Sequence, residues 1–285
     1  MQDAGVRALL PDDTRNKKCF CQKLYGNDIP VFHYTETDST NEAAKRLLKN
    51  GSCKQALLYA DSQTNGKGRR GRTFYSPPEE GVYMSLLFTP EEALENVISV
   101  TTATAVIVAE AIEKLTGQTV AIKWVNDLYV RERKVCGILA EAILPQNAGE
   151  QTAIIVGIGI NVSNQAFPKE LEGIAGSLNM PRQDRQLRED LIVEITSGFI
   201  QYLENMKEKT YLLRYRERSM VLGKRILCHE GNEQYPALAL DIDEDGGLIV
   251  ALENGERRCL HSGEITIRVK SAEELSAGKE TEDNK

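Results

Sequence analysis

The densest chemistry in the chain is the run QTNGKGRRGRTF, Gln63 to Phe74. Lys67, Arg69, Arg70 and Arg72 fall within six residues, and residues 62–78 contain no acid, although the 285-residue chain has 35 basic against 42 acidic side chains, a net charge of −7. Glycines at 66, 68 and 71 let the backbone approach a ligand and supply amide donors. The interleaved cations can meet phosphates or a carboxylate with forked hydrogen bonds. A nucleotide is the natural fit. The spacing also satisfies G-x-G-x-x-G, but a Rossmann loop opens a helix, and the following Pro77-Pro78 cannot start one. No GK[ST] follows, so the run is not a P-loop. A solvated basic loop would explain the charge alone, and an Arg/Gly segment stacking RNA bases on Phe74 and Tyr75 is the next alternative.

Two further groups narrow the choice. KWVNDLYVRERKVCGILAE places Asn126 and Asp127 at a strand boundary and Lys134 just past a turn. An Asn-Asp pair can ligate Mg²⁺ or position a nucleotide, although a plain Asx-turn is the commoner use. Lys134 by itself reads as a surface lysine, but Gly137 three residues later, inside a strand, signals close backbone approach. In GIGIN, Gly157, Gly159 and Asn161 alternate and so share one face of a strand. Two glycines facing one way make a flat floor for a planar or ring-shaped ligand, or else a tight packing contact.

These groups need elements to hold them. In DSTNEAAKRLLKNG, Ser39 and Glu42 form a capping box, and the spacing predicts a helix over Thr40–Asn50, stopped at Gly51, with Asp38, Ser39 and Thr40 exposed at its start. Strands are expected at 56–60, 82–88, 120–124 and 152–162, a hairpin over 128–144 turning at Arg131–Arg133, and helices over 94–116, 185–206 and 209–219. This interleaving indicates a mixed α+β sheet. After Leu222, turn signals at Gly231-Asn232, Asp245-Gly246-Gly247, Asn254-Gly255 and Gly263 predict about five short strands closing a small barrel over 222–269.

The balance of the chain excludes several classes. Net negative charge argues against a general nucleic-acid or membrane-surface binder. The first 13 residues have no apolar h-region, so no secretory signal is expected. The longest apolar stretch, 97–109, is too short to span a bilayer. There is no C-x-x-C, and His33, His229 and His261 are far apart in sequence, so neither a zinc site nor a disulfide framework is expected. Most of the six Cys should be buried thiols in a reducing cytoplasm. Residues 1–30 read as an arm, 31–219 as the main α+β domain, 220–270 as a second domain and the acidic 271–285 as a disordered tail.

Taken together, DSTN (38–41), GKGRRGR (66–72), KWVNDLY (123–129), RKVCGILAE (133–141), GIGIN (157–161) and the terminal barrel make the chain resemble the biotin–protein ligases, or biotin–[acetyl-CoA carboxylase] ligases, over about residues 31–269. The resemblance implies an α+β catalytic domain like that of class II aminoacyl-tRNA synthetases, followed by an SH3-like barrel. It implies that ATP and biotin give biotinyl-5′-AMP, and that biotin then passes to a lysine of the carrier domain of a biotin-dependent carboxylase. Lys134 would face the carboxylate and α-phosphate, and Arg69 would hold the adenylate, with Lys67 and Arg72 at phosphates and Phe74 near the adenine. Ser39, Thr40, Gln63, Gly66, Gly137 and Gly157 would line the biotin side, and Asn41 and Leu139 would also belong to the cofactor-binding set. Asn126, Asp127 and Asn161 would address ATP or Mg²⁺, with Asp127 as the metal ligand.

Lys67, Phe74 and Val125 depart from the family's usual Arg, Trp and Pro. Many relatives carry an N-terminal winged helix, whereas the 30 residues before the catalytic segment show no helix-turn-helix pattern, so no DNA-binding role is expected. A sheet-edge homodimer suits the architecture. The rival readings are a lipoate ligase or octanoyltransferase on a related fold, whose RRxSGGGAV-like segment is missing here, and a non-catalytic ligand-binding module.

Overall fold

The computed structural model describes residues 17–24, 27–50, 53–90, 97–145, 151–182, 184–231 and 233–267. The chain divides into two compact units, Met1–Ser219 and Met220–Lys285.

The first unit is built on an eight-stranded sheet: β1 (Lys17–Leu24), β2 (Asn27–Thr37), β3 (Ala56–Gln63), β4 (Gly81–Phe88), β5 (Ala121–Lys123), β6 (Asp127–Val130), β7 (Arg133–Ile143) and β8 (Ala153–Asn161). Their spatial order is β1-β2-β3-β4-β8-β7-β6-β5. Among the described strands, only the β2–β3 pair is parallel. Among the described residues, four α-helices accompany the sheet: α1 (Thr40–Lys49), α2 (Ile98–Thr116), α3 (Arg185–Glu204) and α4 (Tyr211–Arg218).

The central strands are covered on both faces, which is why VYMSLLF reads as a continuous apolar run. One face of β4 points to α3, where Phe88 and Phe199 meet edge to face with centroids 5.2 Å apart. On the other face, Ala43, Ala44 and Leu47 of α1 join Phe32, Ala56, Leu58, Leu87, Ala153 and Ile155 in one apolar cluster. Because side chains alternate, that second face continues along the strands through Ser85 and Tyr83 of β4, Gly157 and Gly159 of β8, and Leu139 and Gly137 of β7. Here the apolar covering stops and polar groups begin.

Several local expectations change. Residues 17–24, read as part of an arm, form the edge strand β1, paired antiparallel with β2 from Lys17↔Tyr34 to Leu24↔Asn27. A lysine-rich strand is what a sheet edge tolerates, so its weak apolar signal hides it. The capping box does not form: Asp38, not Ser39, supplies the oxygen, accepting the Ser39 N–H at 2.7 Å, while Glu42 turns to Lys45. Ser39 and Thr40, expected to be exposed, are buried at 2% and 4%. The reason is non-local: Gln63 at the end of β3 accepts the Thr40 N–H. α2 begins at Ile98 and stops at left-handed Gly117, whose N–H bonds Glu113; the expected start at 94, the Gly51 stop and the tail 271–285 lie outside the described residues. Cys136 and Cys228 are buried thiols, but Cys259 is exposed.

The second unit is an antiparallel sheet of β9 (Arg225–Glu230), β10 (Glu233–Ile242), β11 (Leu248–Leu252), β12 (Arg257–Leu260) and β13 (Glu264–Ile267), in the order β12-β11-β10-β9-β13. Gly231, Gly246, Gly255 and Gly263 all have positive φ at its turns. Its buried side chains include Ile226, Ala239, Ile242, Leu248, Val250 and Ile265. Among the described residues, no helix is long and apolar enough to cross a membrane.

Candidate active site

The basic glycine loop is an ordered arm that returns on itself. Gln63 N–H bonds Ser76 O, Phe74 N–H bonds Gly66 O, and Gly68 N–H bonds Arg72 O at 2.7 Å. The tip is a single 3₁₀ turn, Arg69–Gly71, with Arg70 left-handed at φ 54°. Gly66 is the crossing point: a Cβ there would stand 2.5 Å from Phe74 O and 2.8 Å from Ser76 Oγ. That contact explains a glycine that charge arguments alone assign to a ligand.

The arm lays Phe74 across the sheet. Gly137 and Gly159 face each other on β7 and β8. A Cβ on Gly159 would fall 2.5 Å from the Phe74 ring, and one on Gly137 would fall 3.4 Å from Lys134 Nζ and 3.5 Å from the same ring. Tyr83, beside Gly159 on β4, meets Phe74 edge to face at 6.4 Å. Of the two readings of GIGIN, the close packing contact is the one seen here, with the Phe74 ring over Gly159.

Two residues back along the strands, Gly157 lies between Ser85 and Leu139. The Asn41 amide sits directly over it. Asn41 Oδ1 accepts from Ser85 Oγ at 2.6 Å, and its Nδ2 donates to Glu141 Oε2 at 2.8 Å and to Leu139 O at 3.4 Å. Ser85 Oγ is also 2.7 Å from Thr40 Oγ1. Gln63 Oε1 accepts from Thr40 N–H at 2.8 Å, and its Nε2 donates to Ser76 Oγ at 2.9 Å. Lys45 closes the far end, 2.9 Å from Glu141 and 3.0 Å from Glu42. Burial in such a network is tolerated because every member has a partner.

The charged end is built on the β6–β7 hairpin. Its turn, Arg131-Glu132, has positive φ at both residues, and Asp127 pairs with Gly137 in register. Lys134 Nζ lies 2.6 Å from Asp127 Oδ1, the two side chains being 29% and 23% exposed. Asn126 donates Nδ2–H to Ile138 O at 2.8 Å, while its Oδ1 accepts from Arg69 Nη1 at 3.1 Å, joining the loop to the hairpin.

Of the residues singled out in the sequence, Thr40, Asn41, Gln63, Gly66, Leu139 and Gly157 come together at one end of the face. Phe74, Lys134, Gly137, Asp127, Asn126 and Arg69 come together at the other. Ser39 is buried and contributes its N–H to Asp38. Lys67 and Arg72 are exposed on the arm. Asn161 donates to Gly176 O at 2.9 Å, and its buried Oδ1 has no protein partner. Ser85, Glu141, Lys45 and Tyr83 were missed. Ser85 had a signal, as the only residue within VYMSLLF that is neither apolar nor aromatic.

The donor set does not fit a resident magnesium ion. Asp127 gives one carboxylate whose Oδ1 is already bound to Lys134. Among the described residues, the one group of three His, Cys, Asp or Glu side chains close enough to share an ion lies in the second unit.

Comparison with known proteins identifies the family of the two units. Residues 34–161 match the biotin/lipoate A/B protein ligase family, and 221–268 match the biotin protein ligase C terminal domain. The chain is 30% identical over 234 residues to the bifunctional ligase/repressor BirA of Bacillus spizizenii, covering 80% of this chain and 71% of that one. It is 28% identical over 250 residues to the biotin–[acetyl-CoA-carboxylase] ligase of Mycobacterium tuberculosis, covering 84% and 85%. The biotin protein ligase of Aquifex aeolicus in complex with biotin and ATP superposes with a TM-score of 0.69 at 29% identity, covering 84% of this chain and 99% of that one. With this fold, these two matched segments and these relatives, the chain belongs to the biotin protein ligase family and is a ligase.

Proposed function

We propose that the ATP-dependent ligation of biotin by this chain runs through biotinyl-5′-AMP on the face described above, and ends on one lysine of the carrier domain of a biotin-dependent carboxylase. The observation that carries this reading is the placement of Lys134 Nζ over Gly137, beside the Phe74 ring and between the polar network of Asn41 and the arm of Arg69. The Aquifex relative's complex with biotin and ATP supports the ligand pair.

In the first step a biotin carboxylate oxygen bonds to the α-phosphorus and pyrophosphate leaves. In the second, a lysine amine attacks the biotinyl carbonyl, loses a proton and expels AMP. Neither step needs much covalent help from the protein; both need positioning and charge neutralisation. The polar end, Thr40, Asn41, Gln63 and Gly157 with Leu139, would orient biotin. Lys134 would stand where negative charge develops, exchanging its Asp127 partner for the reacting oxygens. Arg69, already bridged to Asn126, would hold the adenylate under the arm, with Lys67 and Arg72 reaching phosphates and Phe74 yielding its place on the glycine floor to the nucleotide. Magnesium would enter on the phosphates of ATP, which supply most of its oxygen ligands, and not through a protein cage. A reducing cytoplasm suits the thiols Cys136, Cys228 and Cys259.

Pyrophosphate exchange into ATP tests the reading, with biotin, lipoate or octanoate as the acid. Exchange with biotin is expected, and Lys134→Ala should lower it by about 10²–10³, the usual loss for one preorganised charge donor. Exchange with lipoate and none with biotin would refute the substrate. Near-normal exchange by the Lys134 variant would refute its role.

A further inference from the structure

In sequence, the three histidines and the scattered cysteines give no metal-binding spacing. Strand pairing in the second unit changes that. Asp243 follows β10 directly, Cys259 lies in β12, and His261 follows β12. β11 joins the two strands, with Cys259 opposite Ile249, and its first residue, Leu248, pairs with both Ile242 and Leu260. One carboxylate oxygen, one thiol sulfur and one imidazole nitrogen are thereby placed within 4.8 Å of one another.

We propose that Asp243, Cys259 and His261 form a three-ligand site for a divalent late transition cation, with Zn²⁺ the best match. The donor set mixes soft sulfur, borderline imidazole and hard carboxylate, a combination that suits zinc and not magnesium or calcium. Bond lengths of about 2.0–2.3 Å put neighbouring ligands of a tetrahedral zinc roughly 3.3–3.8 Å apart. Cys259 Sγ and Asp243 Oδ2 are now 2.9 Å apart, so they need to separate by less than about 1 Å. Cys259 and His261 are both exposed and can move. Water takes the fourth position.

The carboxylate is already oriented for this work. Asp243 Oδ1 accepts the N–H groups of Asp245 at 2.9 Å and Gly247 at 2.6 Å, which turns Oδ2 toward Cys259. Such fixing of a ligand by its outer hydrogen bonds is typical of metal centres. Gly247 keeps the space open: a Cβ there would stand 2.6 Å from Cys259 Sγ and 2.7 Å from Asp243 Oδ2. The binding step is an exchange, in which the Sγ–H bond breaks, the Sγ–Zn bond forms and the proton leaves to water.

The test uses the full chain, freed of metal with a chelator and kept reduced by a phosphine. Titration with Zn²⁺ against a chromophoric chelator should show one tight site per chain. Cys259→Ser and His261→Ala should each weaken it by more than about 100-fold, beyond the 10–100-fold cost of losing an outer partner. Co²⁺ should give a thiolate charge-transfer band that Cys259→Ser abolishes and Cys53→Ser leaves intact. Should Cys259→Ser melt early, Gly247→Ala, which keeps all three ligands but crowds two of them, should still weaken binding. Wild-type affinity in Cys259→Ser, a cobalt spectrum without the thiolate band, or no binding by the wild-type chain would overturn the proposal.

Discussion

Gly157→Ala separates the two ends of the site. The added methyl would land on the Asn41 side chain, within 2.9 Å of its Cγ and 3.0 Å of its Nδ2. Asn41 is 3% exposed and cannot swing aside freely, because Ser85, Glu141 and Leu139 hold its amide. Overpacking of this kind costs about 1–3 kcal/mol, and a buried partner left unsatisfied adds about 1–3 kcal/mol. A loss of about 2–6 kcal/mol lowers the melting temperature of a unit of this size by roughly 4–24 °C. If about 1.4 kcal/mol of that falls on biotin alignment, KM for biotin rises about tenfold.

Gly159→Ala, two residues along the same face, is the internal control. The three atoms nearest its methyl all belong to the Phe74 ring, a half-buried side chain on the arm, and a χ shift of roughly 30° off its rotamer costs about 0.5–1.5 kcal/mol. This second variant should melt near the wild type and raise KM for ATP instead. Pyrophosphate exchange with one substrate varied at a time, together with thermal melts, measures both. If Gly157→Ala melts like the wild type with an unchanged KM for biotin, or if both variants raise both KM values alike, the division of the face into a biotin end and a nucleotide end is wrong.

Two further outcomes are expected. Arg69→Gly removes the 3.1 Å bond to Asn126 that ties the arm to the hairpin, so biotinyl-AMP should escape and label bystander lysines in a mixed-protein assay; labelling confined to the carrier would dismiss the latch. Asp38 is held at a pKa of about 2, chiefly by its hydrogen bonds from Arg46 and also by those from Ser39 N–H and Thr37. The folded value lies below the unfolded one, so the stabilisation is present above about pH 4 and is lost as pH falls through 2. The pair is about half exposed, which limits it to below about 1 kcal/mol. Asp38→Asn should therefore differ slightly from wild type in melts at pH 6 and converge on it near pH 2, while a gap that widens on acidification would contradict the assignment.

What was legible in the sequence follows from what a linear pattern can encode. Period-two alternation placed Gly157, Gly159 and Asn161 on one face, and the structure keeps them there, because alternation is a property of each strand by itself. The absence of a Cβ announced close approach, but not which atom approaches. Gly66 makes room for its own arm, Gly157 for Asn41 and Gly159 for Phe74. The errors lie where a partner comes from a distant strand. Ser39 and Thr40 read as exposed because polar residues before a helix usually are, yet both are buried, and Thr40 meets Gln63 and Ser85, which arrive from β3 and β4. The scattered Asp243, Cys259 and His261 show the same limit, since only the β10–β11–β12 register brings them together. Register is set by turn chemistry and by the sum of cross-strand contacts, and no single residue carries it. A polar residue interrupting an apolar strand is the one local trace of such a meeting, because it must find a partner across the fold. Ser85, the one residue of VYMSLLF that is neither apolar nor aromatic, could have been assigned to the site on that ground before any coordinate was known.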